Sequence, residues 1–380
     1  MEGRVASTAF PGFTDIHAHP AMNAFLWGRD LRKHYMSGRT FNPLASLSDF
    51  KMLEKGGVKV LWSSLHIPES NYFRCPIMRL VAQPFRNGRL LMKLNAWECL
   101  VRMKDMMEEQ VASADRFEVA HTNAELDAVL EAGKTAIVHT VEGGHVLGAG
   151  LDDDDLDGRL ARVDELAGWG VASLTITHLF PNELAGHANG IPPHQQRIVF
   201  CKIDPEVEPE RGLTEIGQEV VKRMVERRIV PDVTHCTPTA RGEIYELVGT
   251  DIPLVASHTG VTSMNDEDLN VGESDASAIA ASGGVVGVIF MPFWLAKAHP
   301  KDGLDAIWKT METIREWTGS WENVAIGTDF DGFTDPPDDC QDASKLPVIR
   351  ELLDRHGVAE ADADAILGGN ARRVLASGWT

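Results

Sequence analysis

Eight short apolar, β-rich runs alternate with helical stretches along the 380 residues of this chain, and that alternation narrows its fold more than any other feature. The runs cover residues 12–17, 58–65, 136–141, 172–177, 229–234, 253–257, 285–290 and 324–328. Two of them follow paired glycines, Gly56-Gly57 and Gly283-Gly284, which punctuate the chain as turns. Parallel strands need long crossovers, usually helices, so a strand–helix alternation implies βα units and a parallel sheet. Eight units are what a closed barrel requires, and 380 residues is ordinary for one barrel with insertions. The expected architecture is α/β: a (β/α)8 TIM barrel, one domain over 1–380, with a helical insertion after the second strand.

The intervening stretches carry helical signals. Residues 213–228 set Ile216, Val220, Val221 and Met224 at helical spacing behind Thr214, a good N-cap type. Residues 346–355 tolerate Pro347 in a first turn, and 360–367 run to Gly368-Gly369, which reads as a C-terminal stop. The longest interval, 66–135, is expected to hold extra helices, among them 90–109. The methionines there (Met92, Met103, Met106, Met107) read as core packing. The acidic run 152–155 reads as a solvated loop or helix start, with Ca2+ binding as the alternative.

Six of the eight runs end on a side chain that can bind metal. The first ends in His17-Ala-His19, the third in Glu142, the fourth in His178, the fifth in His235, the sixth in His258 and the eighth in Asp329. In a (β/α)8 barrel the C-terminal strand ends converge on one face, where active sites form. A single buried histidine is ordinarily structural, but six such ends arriving together are poorly explained by packing. Imidazole and carboxylate are ordinary zinc ligands. The spacing in His17-x-His19 sends both rings to one side, because strand side chains repeat every two residues. The donor set suits two Zn2+ or other divalent ions, with Glu142 bridging them and a hydroxide held between. Asp329 is then ligand and general base or acid. Asp331, two residues on, reads as a loop-structuring group. The other histidines (His34, His66, His121, His139, His145, His187, His194, His299, His356) have weaker claims, and His139 is expected to pack within the barrel.

Composition removes some function classes. With 36 Lys+Arg against 56 Asp+Glu, the net charge of −20 suits neither nucleic acid nor an anionic membrane. No apolar run approaches the ~20 residues of a membrane span. Five cysteines (Cys75, Cys99, Cys201, Cys236, Cys340) show no CxxC spacing and read as buried thiols of a reducing compartment. Residues 1–10 show no secretory pattern. A cytoplasmic protein is expected, with a homodimer as the candidate assembly.

These residues fall in motifs that resemble the renal (membrane) dipeptidase family of the amidohydrolase superfamily. The likeness covers most of the chain after residue 120. It rests on Glu131-Ala-Gly-Lys134, Val141-Glu-Gly-Gly-His145, and Leu174-Thr-Ile-Thr-His178 with Asn182. It continues in Gly212-Leu-Thr-Glu-Ile-Gly217, Asp232-Val-Thr-His235 and Ser257-His258, and closes with Gly327-Thr-Asp-Phe-Asp-Gly332 and Gly368-Gly-Asn370 before Arg373-Val374. The resemblance implies that Glu142 bridges the metals, that His17 and Asp329 bind one, and that His235 and His258 bind the other. It implies that His178 contacts substrate and stabilises the oxyanion.

Two positions depart from the family pattern. The family has His-x-Asp on the first strand, where this chain has His19. It also carries an arginine for the dipeptide carboxylate after the sixth-strand histidine; residues 264–271 contain none, and Leu269 is the nearest match. The two departures offset in charge: two Zn2+ with Glu142 and Asp329 sum to +2, as the family's two metals, three carboxylates and arginine do. Arg241, in the loop after the fifth strand, is the candidate replacement for holding the carboxylate. The expected function is a binuclear zinc hydrolase cleaving a dipeptide or N-acyl amino acid. The alternatives are a hydrolase acting on a lactone or cyclic amide and, from another class, a non-catalytic metal-binding barrel, which would be expected to have lost Asp329.

Overall fold

Nine strands form one parallel sheet that closes on itself. In the computed structural model, which describes residues 12–35, 45–191, 204–298 and 303–380, they are β1 (Phe13–Ala18), β2 (Val58–His66), β3 (Phe117–Ala120), β4 (Thr135–Glu142), β5 (Ser173–Thr175), β6 (Val230–Asp232), β7 (Val255–Thr259), β8 (Val285–Val288) and β9 (Val324–Ile326). The order is β2-β1-β9-β8-β7-β6-β5-β4-β3, and β2 also pairs with β4. That pairing closes an eight-stranded barrel, as expected. His194, His299 and Cys201 lie outside the described residues.

The long interval, expected to hold extra helices, also holds the additional strand β3. It pairs Phe117 with Thr135 through Ala120 with Val138. β5 pairs farther along β4, from Thr140–Ser173 to Glu142–Thr175. Since β2 takes the other edge of β4, β3 and β5 share one edge, each covering half. A four-residue strand with Glu118 exposed leaves too short a period-2 signal to read from sequence. The interval otherwise holds helices Pro76–Ala82, Arg86–Leu91, Ala96–Ala112 and Asn123–Glu131. The expected helix at 90–109 begins later, at Ala96, because Asn95 and Glu98 form a capping box there. Met103 and Met107 of that helix are fully buried and Met106 is partly buried, as core packing requires, but Met92 lies before the helix and is exposed, so the packing expected of it is corrected.

Both faces of the barrel strands are covered, so β4 is buried at every position. Residues of one parity, Ala136, Val138 and Thr140, share a face with Glu142. His139 has the opposite parity. It faces the helical layer and lies 3.7 Å from Glu108 of helix Ala96–Ala112, not inside the barrel as expected. Thr214 caps helix Glu215–Glu226 by accepting from the Gly217 amide. Pro347 opens helix Pro347–Arg355. Asp155, in the acidic run, caps helix Leu156–Gly168.

Gly368-Gly369 does not stop its helix. Residues Ala365–Gly369 form a π-turn, and the chain continues as helix Asn370–Gly378. The Asn370 side chain donates to the Trp321 and Val324 carbonyls at 2.7 and 2.8 Å, tying this turn to the start of β9. The expectation of five thiols is corrected at Cys75, which is disulfide-bonded, while Cys99, Cys236 and Cys340 are free and buried. The cysteines therefore give no support to a reducing compartment. No helix among the described residues is long and apolar enough to cross a membrane.

Candidate metal centre

The strand ends converge on Glu142. Its Oε1 lies 3.4 Å from His17 Nε2, 3.3 Å from His235 Nε2 and 3.5 Å from His258 Nε2. Its Oε2 lies 3.5 Å from His19 Nε2, 3.4 Å from His66 Nδ1 and 3.9 Å from His178 Nε2. Asp329 Oδ1 approaches His19 Nε2 at 3.0 Å and His17 Nε2 at 3.9 Å. All the residues singled out from the strand ends thus meet at one mouth.

The backbone at the mouth is bent to deliver them. His235 and Asp329 sit at φ of 66° and 58°, and Asp331 and Phe333 at 67° and 61°. Left-handed backbone at non-glycine residues costs of order 1–3 kcal/mol each and clusters at functional sites. The runs 229–234 and 324–328 accordingly end as regular strand at Asp232 and Ile326, before the residues that turn inward.

Burial divides the cluster into two kinds of side chain. His17, His19 and Glu142 are 2% exposed, His258 1% and His235 3%. Asp329 and His178 are each 11% exposed, so these two face the mouth. Burial opposes charge on His178, but Glu69 and Glu142 outweigh it and hold its pKa up to about 9. Burial lowers His19 to about 3 and keeps it neutral. Burial raises the Asp329 carboxyl, and the Glu142 charge adds to the rise.

The donor set fits divalent metal ions. Histidine nitrogens face one another, Nε2 to Nε2, at 3.0 Å for His17 and His19 and 3.1 Å for His235 and His258. Neutral imidazoles presenting lone pairs to one point repel unless a cation lies between them. Among the described residues, four three-donor sets have their ligand atoms within 4.8 Å of one another: His17, His258 and Asp329; His17, His19 and Glu142; Glu142, His235 and His258; and His66, Glu142 and His178. The Ser257 hydroxyl backs two of the rings, 3.2 Å from His17 Nδ1 and 2.9 Å from His258 Nδ1.

Two expectations about nearby residues resolve differently. Asp331 turns away from the cluster and accepts from Asn23 Nδ2, the Leu47 and Ser48 amides and the Ser48 hydroxyl. It structures the loop before residue 50, as read from sequence. Arg241 is not brought to the mouth. All five of its N–H donors are engaged: Nε and Nη2 by the Asp275 carboxylate at 3.1 and 3.0 Å, and the rest by the Cys236, Asp268 and Asn270 carbonyls. The guanidinium is 3% exposed. It clamps the loop 261–272, and the carboxylate-holding part expected of it is withdrawn. Leu269 is buried at 2%.

Three residues at the mouth escaped the sequence reading. His66 is the last residue of β2, and ending that run at Leu65 hid it. Glu69 follows it and accepts from His178 Nδ1 at 2.7 Å. Trp294 lies nearly parallel to His258, with centroids 5.9 Å apart, and meets His235 edge-on at 5.4 Å. Carrying the second run one residue farther would have found His66; no local signal marks Trp294. The other described histidines bond elsewhere: His34 to Asp49, His121 to the Trp169 carbonyl, His145 to the Ile67 carbonyl and His187 to the Pro205 carbonyl, while His356 stacks on Trp308.

Known proteins share the sequence pattern and the fold of this chain. The sequence is 26% identical over 248 residues to an uncharacterized dipeptidase of Schizosaccharomyces pombe, covering 64% of this chain and 53% of that one. It is 27% identical over 271 residues to dipeptidase 3 of Rattus norvegicus, covering 70% and 51%. The chain thus spans about half the length of these curated relatives. A metallopeptidase of Rhodobacter sphaeroides, solved with a phosphinate mimic of L-Ala-D-Ala, superposes with a TM-score of 0.74 at 19% identity, covering 97% of this chain and 99% of that one. Residues 21–378 match the membrane dipeptidase family, peptidase family M19, and with that match over nearly its whole length the chain belongs to this family.

Proposed function

We propose that this protein is a binuclear metal-dependent hydrolase that cleaves a small amide bond, that of a dipeptide or an N-acyl amino acid. The observation that carries the reading is the division of the Glu142 carboxylate. Oε1 faces His17, His235 and His258 at 3.4, 3.3 and 3.5 Å, and Oε2 faces His19 at 3.5 Å. A carboxylate so divided serves two cations. His17, His19 and Asp329 would hold one and His235 and His258 the other, with Glu142 shared. Zinc or another divalent ion, when bound, supplies Lewis acidity toward a carbonyl and lowers the pKa of water.

The chain's own residues supply the remainder. Asp329 reaches the cluster through Oδ1, and its second oxygen is the group to take a proton from water and pass it to the departing amine. His178, charged and hydrogen-bonded to Glu69 through Nδ1, presents Nε2 to the oxygen on which negative charge develops. Trp294 walls the His235 and His258 side and excludes water. In the net reaction a C–O bond forms from water, the C–N bond breaks, and the amine leaves with the proton.

The relatives' dipeptidase names support a dipeptide. The test is a hydrolysis screen of zinc-loaded protein, metal content measured in the same sample, over L,L- and L,D-dipeptides, N-acyl amino acids, lactones and cyclic amides. Turnover of an amide is expected. Turnover confined to lactones or cyclic amides, or none with two ions bound, overturns the reading.

A further inference from the structure

One buried hydroxyl lies behind both halves of the centre. Ser257 Oγ is within hydrogen-bond distance of Asp232 Oδ2 (2.6 Å), His258 Nδ1 (2.9 Å) and His17 Nδ1 (3.2 Å). Asp232 is 1% exposed. Its Oδ1 accepts from the Ser257 and Thr234 amides and the Thr234 hydroxyl, and its Oδ2 from the Thr175 and Ser257 hydroxyls. A carboxylate that already accepts from four other donors, two amides and the Thr234 and Thr175 hydroxyls, presents an acceptor oxygen to Ser257. The single hydroxyl proton of Ser257 therefore points to Asp232, and only lone pairs remain for the two imidazoles.

The consequence is fixed by proton counting. Each ring that faces a lone pair carries its proton on Nδ1, so each Nε2 is unprotonated. Those are the nitrogens that face Glu142 Oε1 from His17 and from His258. We propose that Ser257, held by Asp232, is a positioning residue that sets the tautomers of His17 and His258 together and aims one donor nitrogen from each half of the centre inward. This rests on the binuclear reading above.

The backbone is shaped for this placement. The β7–β8 register shifts between Ala256 and Thr259. Such an irregularity re-aims side chains, and here consecutive residues, Ser257 and His258, both serve the site. Gly287 and Gly327 on the next two strands pass so close that a Cβ at either would overlap the Ser257 carbonyl oxygen. The His17 and His258 ring centroids lie 3.8 Å apart with their planes tilted by 31°. Among the described residues no comparable group serves His19 or His235, whose buried Nδ1 atoms have no partner there.

The test has two arms, the first on metal-free and the second on zinc-loaded protein. In 15N-histidine spectra of the metal-free wild type, where no ion holds Nε2, His17 and His258, assigned by single substitution, are expected to carry the proton on Nδ1. Either ring found protonated on Nε2 overturns the proposal. In Ser257→Ala, titrated against a zinc chelator, both ions are expected to weaken in parallel by about 10- to 100-fold. Retention of both at wild-type affinity, or loss of one alone, overturns it. If Ser257→Ala does not fold, the wild-type spectrum decides. If the wild type binds fewer than two ions, the binuclear reading fails instead, and the spectrum still decides whether Ser257 sets the two rings.

Discussion

At the mouth, exposure separates residues that the ligand chemistry alone would pool. His178 has the same side chain as His235 and the same neighbour, Glu142. It differs in being 11% exposed against 3%, and in giving Nδ1 to Glu69. His178→Ala is therefore expected to leave metal content unchanged and to lower kcat by about 10²–10³, the usual cost of losing one oxyanion donor. Loss of an ion on that substitution would make His178 a ligand. Asp329→Asn is expected to keep metal in part, since the amide oxygen can still coordinate. Turnover should nearly vanish, because an amide cannot accept the proton. Wild-type turnover in that variant, with metal confirmed by elemental analysis, would move the proton to another group.

At the scale of elements, most of the barrel was legible because six of the eight runs combine an apolar stretch with a polar end. Val58–His66 and Thr135–Glu142 could be placed to within a residue. The same reading overran at Ser173–Thr175, Val230–Asp232 and Val324–Ile326. There the chain stays apolar while its backbone leaves the ladder, and periodicity does not register a left-handed residue such as Asp329. It also failed where geometry is set by distant partners. Arg241 looked available because it follows a ligand strand; Asp275 and the Asp268 and Asn270 carbonyls, remote in sequence, take four of its donors. Arg241→Ala strands a buried carboxylate and frees the loop 261–272. Breaking a buried pair costs about 3–5 kcal/mol, so a large fall in the urea midpoint is expected. The ratio of kcat/KM for a dipeptide and its C-terminal amide should be unchanged. A shift in that ratio, with folding intact, would return Arg241 to the substrate.

For the whole molecule, the question is what an acidic chain does with an anionic substrate. Two ions per chain are expected by elemental analysis of protein purified with zinc; fewer than one would remove the centre. With both bound, two Zn2+ and the charges of Glu142 and Asp329 leave +2 in the mouth, inside a protein of net charge −20. The outer field disfavours approach of an anion, although salt screens it beyond about 8 Å at physiological ionic strength. The inner charge attracts a carboxylate without fixing its direction. A bidentate guanidinium contact would add roughly 1.5–3 kcal/mol, about tenfold to a hundredfold in affinity. Neither Leu269, buried at 2%, nor Arg241, saturated by its own loop, provides that contact. Weak discrimination is therefore expected between a dipeptide and the same compound amidated at its C-terminus, with kcat/KM values within about tenfold. A preference for the free acid of about a hundredfold or more would require a cation that directs the carboxylate. His178, charged and facing the mouth, would then be the residue to substitute, with the same ratio read again.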